Sequence, residues 1–278
     1  MEIVGFGALN LDHFYGVNDL SVLRRAGFDL NPGGEISGTP EEAQRLEEIL
    51  ASEGRLLARS GGGSAANTIC TLAALGHDTA FIGTVGDDEA GNFILSTMNG
   101  VDCSMVRSEG RSSQCIVLIE DKTRDRAMFV VPGDGPADIP RELDISEARM
   151  LHMSSLALEQ GPAIQERLIS LLGMDQILSF DPGELYAARG MEGLYPLFAR
   201  TDLLFITFQE LRMLDSRHAG HDVYRVMRQD RGAPVMVIKQ GRYGASVYIR
   251  GQEWSQAAVH AVNVVDNTGA GDAFDAGY

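Results

Sequence analysis

Two hydrophobic patterns alternate along the chain. One is a short, continuous apolar run bounded by turn residues, the mark of a strand buried on both faces. The other is apolar residues three and four apart, the mark of an amphipathic helix. "EIVGFGAL" (2–9) is the first run, ends in Gly and Asn, and predicts a buried strand. "NLD" (10–12) follows it, which puts Asp12 at a strand's C-terminal end, where α/β ligand sites gather; taken alone, such an Asp is more often a loop carboxylate than a ligand contact. Residues 17–60 differ in character. A loop-like stretch precedes a helix, "TPEEAQRLEEILASEG", capped by Thr39 with Pro40 at its first position. The stretch reads as an insertion ahead of a glycine cluster. "SGGGSAANTICTLAALG" (60–76) begins as a flexible glycine turn and becomes an amphipathic helix, with Ile69, Leu72, Ala73 and Leu75 inward and Gly76 as its stop. A strand over 79–86 and a helix over 87–100 with an acidic first turn come next.

"SQCIVLIED" and "RAMFVVPG", separated by the charged "DKTRDR", predict a hairpin. From residue 149 the pattern alternates: strand "RMLHMS", helix 160–173, strand "QILSFD", helix 184–199, strand "DLLFIT", helices through 230, strand "PVMVIKQG". Such alternation predicts an α/β fold, a three-layer sandwich with a mostly parallel central sheet between helices. The length of 278 residues suits one large domain.

The formal net charge of −16 argues against nucleic acid and anionic membrane surfaces as partners, though amides and a cation can still hold a phosphate. Three cysteines, Cys70, Cys103 and Cys115, have no paired spacing and read as free thiols of a reducing compartment. The N-terminus lacks the pattern of a signal peptide, and no apolar run reaches spanning length; the expected location is the cytoplasm. His218 and His221, in "RHAGHD", lack a third metal ligand nearby and read as a polar loop or helix start.

Candidate chemistry concentrates in the glycine-rich stretches. Gly-Lys occurs nowhere, so there is no Walker A loop, and "GFGALN" lacks the third glycine and following helix of a dinucleotide site, which sets a nicotinamide oxidoreductase aside. In "DNTGAGDAFDAGY", Gly269, Ala270 and Gly271 precede an apparent helix start. A helix N-terminus offers unpaired N–H donors to an anion, and small residues let a phosphoryl group approach them. Asp272 in the first turn could accept a proton from an attacking alcohol; a plain helix cap is the other reading. "GGGSAAN" repeats the theme, with Asn67 offering both donor and acceptor.

In order along the chain, "GALNLD", "GGGSAAN…LAALG…AFIGTVGDDEAG", "TFQELRML", "VIKQGRYGA" and "DNTGAGDAF" resemble the motifs of the ribokinase-type (PfkB) carbohydrate kinases, over essentially the whole chain. The resemblance implies a ribokinase-like fold with a small β lid, from segments near 12–18 and 103–131. It implies transfer of the ATP γ-phosphoryl group to a hydroxymethyl group of a sugar or nucleoside, with ATP and Mg²⁺ as cofactors and K⁺ as a further candidate at a monovalent-cation loop. Carried over by position, Asp272 is the general base and Gly269, Ala270 and Gly271 form the anion hole. Asn10, Asp12, Gly62, Gly63 and Asn67 hold the substrate. Thr207, Lys239, Gly241 and Gly244 lie on the nucleotide side. Glu210 orders Mg²⁺ through water, and Asp266 and Thr268 resemble a monovalent-cation loop. Homodimerisation through the lid is a further expectation. Three positions depart from the family pattern: Thr207 replaces an Asn, Asn267 a small hydroxyl residue or Pro, and Ile69 a small residue. Family members continue past the second motif, so the stop at Tyr278 predicts a nucleotide pocket lacking its C-terminal helices. The intact Asp272 favours a kinase; the alternative, favoured by the early stop, is a non-catalytic sugar or nucleoside binder or an inactive kinase fragment.

Overall fold

The computed structural model describes residues 1–135, 138–140, 142–214, 221–227, 234–259 and 267–278. A large sheet runs β15-β14-β13-β12-β11-β10-β1-β5-β6, with β7 also paired to β5. Its strands are β1 (Ile3–Phe6), β5 (Thr79–Val85), β6 (Val101–Asp102), β7 (Val106–Ser108), β10 (Met150–Ser154), β11 (Ile177–Asp181), β12 (Leu203–Thr207), β13 (Val235–Lys239), β14 (Ala245–Ile249) and β15 (Gln252–Gln256). All pairings from β13 to β7 are parallel; β14 and β15 add an antiparallel edge. Helices flank it: α3 (Ser64–Ala74), α4 (Glu89–Thr97), α5 (Gly161–Ile169), α6 (Gly183–Ala187), α7 (Tyr195–Arg200), α8 (Phe208–Leu214), α9 (His221–Val226) and α10 (Ala270–Gly277). The apolar runs are apolar because both faces are covered. Val4, Leu151, Leu178, Phe180, Leu204 and Ile206 are fully shielded from solvent in one core.

A second, five-stranded sheet has the order β3-β9-β8-β2-β4, built from β2 (Asn10–Val17), β3 (Glu35–Ser37), β4 (Gly54–Gly62), β8 (Ser113–Glu120) and β9 (Arg126–Val131). The hairpin is β8–β9. One face packs on α1 (Ser21–Arg25) and α2 (Pro40–Glu53) through Leu20, Leu46, Leu50, Ile116, Leu118 and Phe129. Thr39 caps α2 in a reciprocal box: its hydroxyl accepts from Glu42 N–H, and its own N–H donates to the Glu42 carboxylate.

Several expectations need correction. Asp12 is not at the end of the first strand. β1 stops at Phe6, the chain changes sheets through Gly7 and Ala8, and Asp12 lies inside β2. Glycines 61 and 62 are not a flexible turn but the end of β4, paired with Leu11 and Asn10; the left-handed residue is Gly63, φ 116°. The stretch 17–60, read as an insertion, supplies α1, β3, α2 and β4, two strands of the small sheet and the helices packed on its face. The helix expected over 184–199 is two helices, broken at Gly190 (φ 78°) and joined by a 3₁₀ turn. Residues 101–108 belong to the edge of the large sheet, not to the small one. His218 lies outside the described residues. Among the described residues no helix is long and apolar enough to cross a membrane.

Candidate active site

Carboxyl ends of the large sheet converge on one cavity. Ala8 follows β1, and Ser154, Asp181, Thr207 and Lys239 end β10, β11, β12 and β13; all five line it. β1 lies between β5 and β10, so the chain leaves it in opposite directions on its two sides, and such a switch point opens a crevice at the carboxyl edge.

The small sheet forms the opposite wall through strand parity. Side chains two apart share a face. In β9, Ala127, Phe129 and Val131 point to α2, so Arg126, Met128 and Val130 point to the cavity. The register pairs Glu35 with Met128, Cys115 with Val130 and Asp12 with Cys115, which brings Glu35, Cys115 and Asp12 to the same side. Burial, with the neighbouring Asp272 and Glu35 charges, pushes the Asp12 carboxyl up to about 7. Burial, with Glu184 next in effect, also pushes Glu35 up to about 7.

The third wall is α3 against α10. Gly269 takes a left-handed turn, φ 74°, and α10 starts at Ala270, so Asp272 stands in its first turn. The backbone N–H groups of Gly271 and Asp272 find no acceptor among the described residues. Ser64 Oγ donates to Asp272 Oδ1 at 2.7 Å and Asn67 Nδ2 to Oδ2 at 2.8 Å. Burial raises the Asp272 pKa, and these two hydrogen bonds partly offset the rise. The result is an oriented carboxylate with elevated basicity beside free amide donors, a geometry suited to taking a proton from a bound hydroxyl.

Under α10 sits a buried ion cluster. Lys239 Nζ lies 2.8 Å from Asp181 Oδ2 and 3.0 Å from Asp275 Oδ2, tying β13, β11 and α10 together. Its ammonium is close beneath Gly271, where a Cβ would stand 3.5 Å from Nζ. Burial disfavours the charged Lys239, but the two carboxylates outweigh it and raise its pKa. Burial works against ionised Asp181 too, yet the Lys239 charge holds it below the ordinary range, while burial and the Asp181 charge drive Asp275 upward. Glu210 also lines the cavity. It forms a second capping box, accepting from Thr207 N–H at 2.8 Å while its own N–H donates to Thr207 Oγ1 at 3.2 Å. Burial, then Asp181, pushes its carboxyl up to about 7.

The cavity therefore gathers Asn10, Asp12, Gly63, Asn67, Thr207, Glu210, Lys239, Thr268, Gly269, Gly271 and Asp272 from the sequence-derived set. Gly62 stands behind it, its Cα so close to Asp12 that a Cβ would overlap the carboxylate. Ala270 is in α10 but not on the cavity wall, and Gly241 and Gly244 belong to the β13–β14 turn, also off the wall. Asp266 lies outside the described residues. Sequence reasoning missed Ser64, Asp181, Asp275, Glu35 and Arg126. Asp181 carried a signal, as the last residue of "ILSFD", a strand's carboxyl end. Among the described residues no three His, Cys, Asp or Glu side chains converge as a metal cage.

The chain is 32% identical over 213 residues to an uncharacterized sugar kinase of Archaeoglobus fulgidus, covering 74% of this chain and 84% of that protein. It is 32% identical over 248 residues to an ATP-dependent ribose-1-phosphate kinase of Halopiger xanaduensis, covering 84% and 78%. Among solved structures, adenosine kinase from Sinorhizobium meliloti superposes with a TM-score of 0.85 at 19% identity, over 99% of this chain and 85% of that one. Arabidopsis thaliana ribokinase does so with a TM-score of 0.72 at 20% identity, over 99% and 83%. These neighbours share the ribokinase-like fold described above. The model of the pfkB family carbohydrate kinases matches residues 38–278, and the chain belongs to that family.

Proposed function

We propose that this protein phosphorylates a hydroxymethyl group of a sugar or nucleoside, with Asp272 as general base. Kinases of this family use ATP and Mg²⁺. The observation that carries the reading is the setting of Asp272: both carboxylate oxygens accept hydrogen bonds from α3, and the free N–H groups of the α10 first turn lie alongside. The substrate O–H bond breaks as Asp272 takes its proton, the oxygen bonds to the γ-phosphorus, and the bond from that phosphorus to ADP breaks. The amides of Gly271 and Asp272 and the Lys239 ammonium stabilise charge on the transferring group. Asn10, Asp12, Gly63 and Asn67 contact the sugar, and the small sheet acts as a lid that excludes water.

Mg²⁺ keeps several waters and takes one or two carboxylates plus substrate phosphates rather than an all-protein cage. Glu210 fits that role: its Oε2 is engaged by Thr207, and its other oxygen accepts no hydrogen bond among the described residues. Bound Mg²⁺ would neutralise charge on the phosphates. A monovalent cation beside Asp266 and Thr268 belongs to the same reading, as does the nucleotide on the side of Thr207 and Lys239.

The test is Asp272→Asn, assayed by ADP release and by calorimetry with the accepted sugar. Turnover should fall by roughly 10²–10⁴ while sugar affinity holds. A variant that kept more than about a tenth of the wild-type rate would remove Asp272 from the role of base.

A further inference from the structure

The wall formed by the small sheet holds two acceptors that nothing among the described residues satisfies. Asn10 Oδ1 and Asp12 Oδ1 are buried without a hydrogen-bond partner. Their residues are 8% and 9% exposed, and both line the cavity. A buried acceptor without a donor is costly, so a ligand seated here must bring O–H or N–H groups to it. Glu35 adds a further carboxylate to the same face, from β3. Glu184 and Asp272 close the ring from α6 and α10.

Against these four carboxyl groups this end of the cavity holds, among the described residues, one cation, Arg126. Its Nη1 donates to the carbonyl of Asn267 at 3.3 Å, and its single charge acts on Asp12 and Glu35 without outweighing burial and their acidic neighbours. Lys239, on the far side, is committed to Asp181 and Asp275. A carboxylate or phosphate on the sugar would therefore meet acidic groups on three sides that already resist ionisation, and its own charge would add to that cost. A hydroxyl would meet acceptors.

Resting on the kinase reading above, we infer that this site takes an uncharged, hydroxyl-rich acceptor, a neutral sugar or nucleoside, and that Glu35 is a specificity-determining residue that turns away sugar acids and sugar phosphates. Glu35 does this with Asp12 and Asn10, all presented on one sheet face by strand parity. Crowding is visible before any ligand arrives, since burial, with repulsion from neighbouring acidic groups (Asp272 and Glu35 on Asp12, Glu184 on Glu35), holds both carboxyls at about 7.

The experiment uses the full chain with ATP and Mg²⁺ and two acceptor sets. The neutral set is ribose, fructose and adenosine; the anionic set is 2-keto-3-deoxygluconate and ribose 1-phosphate. Binding by calorimetry and ADP release are both read. The expected result is binding of a neutral acceptor with a kcat/KM about 100-fold or more above that of any anionic one, since like charges brought together cost several kcal/mol. Glu35→Gln, an isosteric change, should narrow that ratio about tenfold by removing one of the charges. Preference for an anionic acceptor, or no binding in the neutral set, overturns the inference. So does an unchanged ratio in Glu35→Gln. An anionic acceptor whose turnover vanished in Asp272→Asn would leave the kinase reading standing while sinking this one. A neutral acceptor bound but not phosphorylated would do the reverse.

Discussion

Lys239→Met should be the most damaging single change beneath α10, and Asp275→Asn one of the mildest. The Lys239, Asp181 and Asp275 side chains are 11%, 7% and 0% exposed, so none is substantially solvated. With Asp275 driven towards its neutral form, the cluster is close to one cation and one anion, Lys239 and Asp181. Removing the ammonium strands a buried carboxylate, which costs about 3–5 kcal/mol. At roughly 2–4 °C per kcal/mol for a chain of this size, Tm should drop by roughly 6–20 °C. An Asn at 275 keeps the shape of a protonated carboxyl and should cost less than about 1 kcal/mol. The pH dependence has a definite sign. A raised folded-state pKa gives stability that is complete below the ordinary carboxylate range and is lost as pH climbs toward the raised value. Asp275→Asn cannot undergo that loss, so its stability relative to wild type should improve from pH 5 to pH 8. Differential scanning calorimetry of the three proteins at both pH values is the assay. Equal damage from Lys239→Met and Asp275→Asn, or a Lys239→Met protein within about 1 kcal/mol of wild type, would refute the charge assignment.

Ser64→Ala should lower kcat about tenfold, because a charge-assisted hydrogen bond of about 1.5–3 kcal/mol orients Asp272, and it should move the acidic limb of the pH–rate profile upward, since that bond favours the ionised form. Gly62→Ala should fold yet weaken sugar binding in calorimetry, because the new methyl displaces the Asp12 carboxylate. Asp12 holds its proton in the folded protein up to about 7, so the ligand-free enzyme should lose stability as pH rises from the ordinary carboxylate range through that value; Asp12→Asn should flatten the Tm–pH curve over pH 5–8, and an unchanged slope would count against the burial argument.

Much of the large sheet was legible in the chain itself. Short continuous apolar runs such as "LLFIT" and "VMVIK", bounded by turn residues, read as strands buried on both faces, and their alternation with helices leaves few topologies. Asp272 was legible for a related reason: a glycine, two small residues and a carboxylate at a helix start are local chemistry, and α10 forms there. The small sheet was only half legible. The hairpin of β8 and β9 announced itself through its charged turn, but the three residues of β3 have no signal of their own. Their strand character, and with it the direction of Glu35, comes from pairing with β9 across about ninety residues of chain. Lys239, Asp181 and Asp275 likewise lie on three elements whose approach no sequence spacing encodes. Local patterns determine which segments are strands and helices because propensity and periodicity act over a few residues. Which buried charges meet is settled only when those segments pack, because a carboxylate's partner, burial and pKa are properties of the space around it.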